Sequence, residues 1–138
     1  MRYYLDTNIL IFVLSNDRNE LSYQILNILE DYSNVFFLST VVLKELILLY
    51  KEGKLEHLNY KTNEELFISI EELNYKIVPV TKKHLFTYAE LEPIVDHKDP
   101  NDHVIISQSI SDKIPIISSD KKFKHYENQG LQLMFNKR

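Results

Sequence analysis

The chain contains no cysteine, and only two of its 138 residues, Gly53 and Gly130, are glycine. Without thiols there is neither a disulfide framework nor a thiolate metal site, so any metal must be held by oxygen or histidine nitrogen. Two isolated glycines also exclude a Walker loop, a dinucleotide fingerprint and a nucleophile elbow, each of which needs glycine where backbone closes on a ligand or a strained turn. Repeats, low-complexity tracts and Gly-rich linkers are missing as well. With 44% hydrophobic residues, the chain is expected to fold as a single domain over 1–138 with its own core. The apolar run within MRYYLDTNILIFVLSNDRNE is too short to cross a bilayer and is interrupted by Asp6 and Asn8. No membrane association is expected, and the default location is cytoplasmic.

The formal charge of −4 disguises an asymmetry. From Lys113 to Arg138 there are six Lys or Arg against Asp120 and Glu127, a local excess of +4 that leaves −8 on residues 1–112. Lys121, Lys122 and Lys124 therefore form a candidate phosphate-facing surface, the bland alternative being a solvated loop or helix face.

Short β-branched or aromatic runs alternate with stretches of helical period. Strands are expected at RYYL (2–5), VFFL (35–38), KIVPV (76–80), IPII (114–117) and LQLM (131–134). Between them, helices are expected from about Asn8, near Glu20 to Asp31, from Ser39 or Thr40 to about Glu52, and near Asn63 to Leu73. Two more are expected from Thr81 to before Pro93 and from HKDPND to about Ser111. This alternation predicts an α/β sandwich with a mainly parallel sheet, in which ligands bind beyond the carboxyl ends of the strands.

Asp6 follows the first strand and Asp120 the fourth, so both fall at that edge, although a helix cap would also explain either one. Glu45 stands in STVVLKELILLY with Val41, Val42, Leu48 and Leu49 at helical spacing, where an ionised side chain is costly without a partner. In HKDPND, Asp99 before Pro100 fits an N-cap with proline at the first helical position, while Asp102 sits on the first turn above Ile105 and Ile106. Asp99 is therefore read as a cap and Asp102 as a ligand. Together Asp6, Glu45, Asp102 and Asp120 suit an oxygen-only divalent site for Mg²⁺ or Mn²⁺, as in paired-metal phosphodiester cleavage. His57, His84 and His125 are expected at the surface, and His97 is expected to support its turn.

These segments resemble a PIN-domain nuclease, and in particular the VapC-type toxin ribonucleases of toxin-antitoxin pairs. LDTNIL (5–10) is similar to the opening motif, LKEL (43–46) supplies the helical glutamate, and HKDPNDHVIISQSI resembles the histidine-x-aspartate-proline-x-aspartate helix opening. IPIISSDKKF (114–123) resembles the closing strand, with Ser118 where the family often has Thr. The resemblance implies a three-layer α/β/α sandwich with a five-stranded sheet. It also implies a metal-dependent endoribonuclease that uses a metal-activated water, with Asp6, Glu45, Asp102 and Asp120 around Mg²⁺ or Mn²⁺. Asn8 and Ser118 match polar positions and are expected to orient the carboxylates, with Asp99 in support. RNA as substrate, a small antitoxin partner and a homodimer follow from the same resemblance. Where the family frequently carries Arg, this chain has His103 and Lys121, which would change its grip on phosphate.

Rival readings fit less well. A receiver-type signalling domain needs paired acids closing strand 1 and an aspartate closing strand 3, where the chain has Leu5 before Asp6 and Pro79-Val80-Thr81. A haloacid-dehalogenase phosphatase needs a second aspartate at position 8, and an EF-hand loop near Asp96 meets Lys98 where oxygen is required. An inert PIN-like binding module is the remaining alternative.

Overall fold

The computed structural model describes residues 1–137. Five strands, β1 (Arg2–Leu5), β2 (Val35–Ser39), β3 (Lys76–Val78), β4 (Ile116–Ser118) and β5 (Leu133–Phe135), form one sheet of order β3-β2-β1-β4-β5. Every pairing is parallel. Aromatic contacts join β1 to β2: Tyr3 stacks on Phe36 at 6.0 Å, and Tyr4 meets Phe37 edge-on at 5.7 Å. The helices are α1 (Thr7–Leu14), α2 (Tyr23–Glu30), α3 (Thr40–Lys51), α4 (Asn63–Glu72), α5 (Lys82–Glu90) and α6 (Pro100–Asp112).

From β1 the chain steps outward through β2 to β3, then returns across the sheet to β4 and β5. With right-handed crossovers, α1 to α4 cover one face and α5 and α6 the other, so the direction reverses between β1 and β4. That reversal opens a crevice at the carboxyl ends of these two central strands. Beneath it, Tyr4, Leu5, Ile9, Leu38, Ile105, Ile116 and Ile117 are fully buried and hold the central strands in place.

Several element boundaries shift from the expected ones, each for a local reason. β3 stops at Val78 because Pro79 has no N–H to offer the ladder. β4 starts at Ile116 rather than 114, and Pro115 contributes only its carbonyl, which accepts from Tyr4 N–H at 2.8 Å. A 3-10 turn (Arg18–Glu20) precedes α2, which begins only after Ser22, whose hydroxyl caps Ile25 N–H. Sequence periodicity missed a 3-10 segment, Lys121–Gln129, capped by Asp120 and closed by Gly130 at φ +105°. That segment delays β5 to Leu133 while turning Leu131 into the core. No helix of the described residues is long and apolar enough to cross a membrane.

Candidate metal centre

Local capping geometry delivers three of the acids to the crevice. Asp6 ends β1 and caps α1: one carboxylate oxygen accepts from Thr7 N–H at 2.8 Å, and the other from the Ser118 hydroxyl at 2.7 Å. Asp99 caps α6 through Asn101 N–H at 2.9 Å. Asp120 caps the 3-10 segment through Lys122 N–H at 2.9 Å, and its own N–H donates to Ser118 Oγ at 3.0 Å. A carboxylate capping a helix N-terminus lies against unpaired N–H groups, which is favourable for the anion. Capping and clustering are thus compatible roles here, not alternatives.

The other two acids stand within helices. Glu45 projects from α3, and its Oε1 accepts from Thr7 Oγ1 at 2.7 Å. Asp102, on the first turn of α6, has Oδ2 at 2.9 Å from His97 Nε2. All five carboxylates, with Thr7, Asn8 and Leu49, line one open cleft of about 260 Å³. One oxygen each from Glu45, Asp99 and Asp102 lies within 4.8 Å of the others, as does a set of one atom each from His97, Asp102 and Asp120.

Crowding like charges in a partly dry cleft raises their proton affinity. Burial, reinforced by the negative charges of Asp6, Asp99, Glu45 and Asp120, pushes Asp102 up to about 8. Asp6 and Glu45 are also raised, first by burial; the Ser118 and Thr7 N–H bonds restrain Asp6, and the Thr7 hydroxyl restrains Glu45. His97 moves the other way, below the usual histidine range, because it is buried beside His103. The Asp102–His97 contact is accordingly a hydrogen bond to a neutral imidazole, not an ion pair.

Asp6, Glu45, Asp102 and Asp120 converge, and Asp99 joins them as well as capping its helix. Ser118 and Thr7 hold carboxylates; sequence reasoning picked out Ser118, but only the packing of α1 against α3 reveals Thr7. Asn8 is exposed at the cleft wall. Lys121, Lys122 and Lys124 are exposed, with Lys122 Nζ donating to Asp96 carbonyl at 2.8 Å and Lys124 Nζ resting 4.0 Å from the Phe135 ring centroid.

The histidines divide between core and surface, and one expectation, that His84 lies at the surface, needs correction. His103 cannot grip phosphate where it stands, because it is buried and its Nε2 donates to the His97 carbonyl at 2.8 Å. His84 is buried rather than superficial: Nε2 lies 2.9 Å from Asp112 Oδ2 and Nδ1 accepts from Thr81 N–H at 3.0 Å. His57 and His125 are exposed.

A parallel α/β sheet with carboxylates from separate segments gathered at its switch point defines a protein class suited to oxygen-ligated divalent cations. The chain belongs to the PIN-domain family, whose family model, "PIN domain", matches residues 3–129. PIN domains are generally nucleases and generally use a divalent metal. Among solved structures, the chain is similar to one in VapBC2 from Rickettsia felis bound to a DNA fragment from its promoter. There the identity is 25%, the TM-score 0.71, and coverage 99% of this chain and 100% of that one. It is also similar in fold to a chain of DNA-bound VapBC from Salmonella typhimurium, at 17% identity, TM-score 0.70 and 98% coverage of both. The same holds for VapBC-5 from Mycobacterium tuberculosis, at 17% identity, TM-score 0.63 and coverage of 97% and 98%. No curated protein matches the sequence.

Proposed function

We propose that this protein is a divalent-metal-dependent endoribonuclease and the toxin of a type II, VapBC-like pair. The observation that carries the reading is the convergence of Asp6, Glu45, Asp99, Asp102 and Asp120 on one open cleft. The donor set fits Mg²⁺ or Mn²⁺: it is rich in carboxylate, lacks thiolate, and is crowded enough that Asp102 retains its proton to about 8.

Glu45, Asp102 and Asp120 would hold the cation, with Asp99 beside them and Asp6 at the buried floor. When bound, Mg²⁺ or Mn²⁺ supplies Lewis-acid stabilisation of charge at phosphorus and a nucleophilic water at neutral pH. The chain's own task is orientation. Ser118 and Thr7 N–H fix both oxygens of Asp6, and the Thr7 hydroxyl fixes Glu45, so the ligands need little rearrangement to meet a cation. Lys121, exposed beside Asp120, offers an RNA backbone a positive charge.

Toxin status and a small antitoxin partner are supported by likeness to chains from VapBC complexes. Incubation of purified protein with single-stranded or transfer RNA, with and without EDTA and alongside Asp6→Asn, tests the enzymatic reading. Cleavage that needs metal and fails in Asp6→Asn is expected; cleavage that persists through both changes excludes this mechanism.

A further inference from the structure

His97 lies behind the acidic cleft and is 3% exposed. His103, Tyr126 and Phe123 box its ring, with centroids at 4.8, 5.4 and 6.0 Å, which leaves the imidazole little room to turn. Its backbone is held too: the N–H donates to Ile94 carbonyl at 3.1 Å, and the carbonyl accepts from His103 Nε2 at 2.8 Å.

One set of proton positions satisfies every partner of the ring. Tyr126 Oη accepts from Ile94 N–H at 3.1 Å, which leaves the phenolic proton available for its other neighbour, His97 Nδ1, 2.9 Å away. With Nδ1 accepting, the single proton of a neutral ring sits on Nε2, which faces Asp102 Oδ2 at 2.9 Å. The chain Ile94, Tyr126, His97, Asp102 is therefore a directed series of hydrogen bonds that ends on a cleft carboxylate.

We propose that His97 is a positioning residue for Asp102. It donates from Nε2 to Oδ2 so that the remaining carboxylate oxygen is presented to the cation, while Tyr126 fixes which ring nitrogen carries the proton. This rests on the metal-site reading above and extends it to two residues outside the carboxylate set. Groups that hydrogen-bond to a metal's ligands commonly change metal affinity by about 10- to 100-fold.

The test compares the full chain with His97→Leu, His97→Gln and Tyr126→Phe, reading Mn²⁺ affinity by EPR, RNA cleavage, and circular dichroism for folding. His97→Leu should weaken Mn²⁺ binding and cleavage by about 10- to 100-fold. His97→Gln, whose amide N–H can replace Nε2–H, should restore most of both, a rescue that a merely space-filling role would not produce. Tyr126→Phe should weaken Mn²⁺ binding with the imidazole still in place. Unchanged affinity in folded His97→Leu overturns the proposal, and if that variant unfolds, unchanged affinity in Tyr126→Phe overturns it instead. A nitrogen hyperfine coupling on bound Mn²⁺ that vanishes in His97→Leu also overturns it, by making His97 a ligand. Failure of the unaltered chain to bind Mn²⁺ would sink the metal-site reading itself, a result distinct from the others.

Discussion

Asp6 and Ser118, 112 positions apart in the chain, meet at 2.7 Å where β1 and β4 run side by side. Ser118 is fully buried and holds both aspartates at this edge, donating to the Asp6 carboxylate and accepting from the Asp120 backbone N–H. Ser118→Ala removes both bonds. It should cost about 1 to 3 kcal/mol of stability for the buried groups left short of a partner. Metal affinity should fall by about 10-fold or more. Thermal unfolding and Mn²⁺ titration check the two effects, and a variant that keeps its full affinity would show that Asp6 needs no such support.

Thr7 performs the equivalent service for Glu45 across the α1–α3 interface. Thr7→Val keeps the shape and removes the hydroxyl, so Glu45 loses its one restraining bond and its proton affinity, already raised by burial, should rise further. Cleavage should drop by about 10- to 100-fold, with the loss shrinking as pH rises and the further-raised carboxyl gives up its proton. A pH–rate profile on both proteins reads this directly; parallel profiles would remove Thr7 from the site.

The contrast between Ser118 and Thr7 shows which parts of the site the sequence made legible. Asp6, Ser118 and Asp120 flank strands of β-branched and aromatic residues, so their place at the sheet edge followed from local pattern. Thr7 acts on a residue of another helix, and no local period encodes how α1 lies against α3. For His103 a signal was present: His103, Ile106, Ser107 and Ile110 share one face of α6, and the first three are buried. His84 had a signal too, since Thr81-x-x-His84 imitates a capping box with imidazole in the carboxylate's place. Its bonds to Asp112, which also accepts from Tyr4 Oη at 2.6 Å, depend on the packing of α5 against α6.

Asp99 caps a helix and also lines the cleft, and substitution can separate the two roles. Asp99→Ser keeps a capping oxygen and discards the negative charge. Stability should change by no more than about 0.5 kcal/mol, while Mn²⁺ affinity should fall. Loss of stability with affinity intact would leave Asp99 as a cap alone.

The raised carboxyls make the metal-free protein sensitive to pH in a defined direction. Asp102 binds its proton up to about 8 in the fold, against about 3.9 in an unfolded chain, so the folded state holds more protons across that window. Its penalty is absent below about pH 4 and grows as pH rises towards 8; Asp6 and Glu45 act in the same sense. His97, pushed below its usual range, acts oppositely but only below about pH 6.5. Metal-free protein should therefore lose stability from pH 6.5 to 8, and Mg²⁺ should restore more at pH 8 than at pH 6.5. Asp102→Asn should stabilise the metal-free form at pH 7.5 by about 1 to 3 kcal/mol while abolishing cleavage. Melting curves with and without EDTA decide it: stability that rises with pH would mean that these acids are not crowded.

The basic C-terminal quarter makes a narrower prediction than its charge count suggests. Lys122 is tethered to the Asp96 carbonyl, and Lys124 lies against Phe135, so part of what each offers is spent within the fold. Lys121, exposed and next to Asp120 in the chain, has neither tether among the described residues and is the one whose charge is left to meet a phosphate. Each phosphate contact on single-stranded nucleic acid contributes about 0.7 to the slope of log affinity against log salt. Lys121→Ala should therefore flatten that slope by about 0.7 for RNA bound to the Asp6→Asn protein, which is expected not to cleave it. Lys122→Ala and Lys124→Ala should each change it less. Equal slopes for all three variants and the parent would assign the lysines to solvent and require another face to carry the RNA backbone.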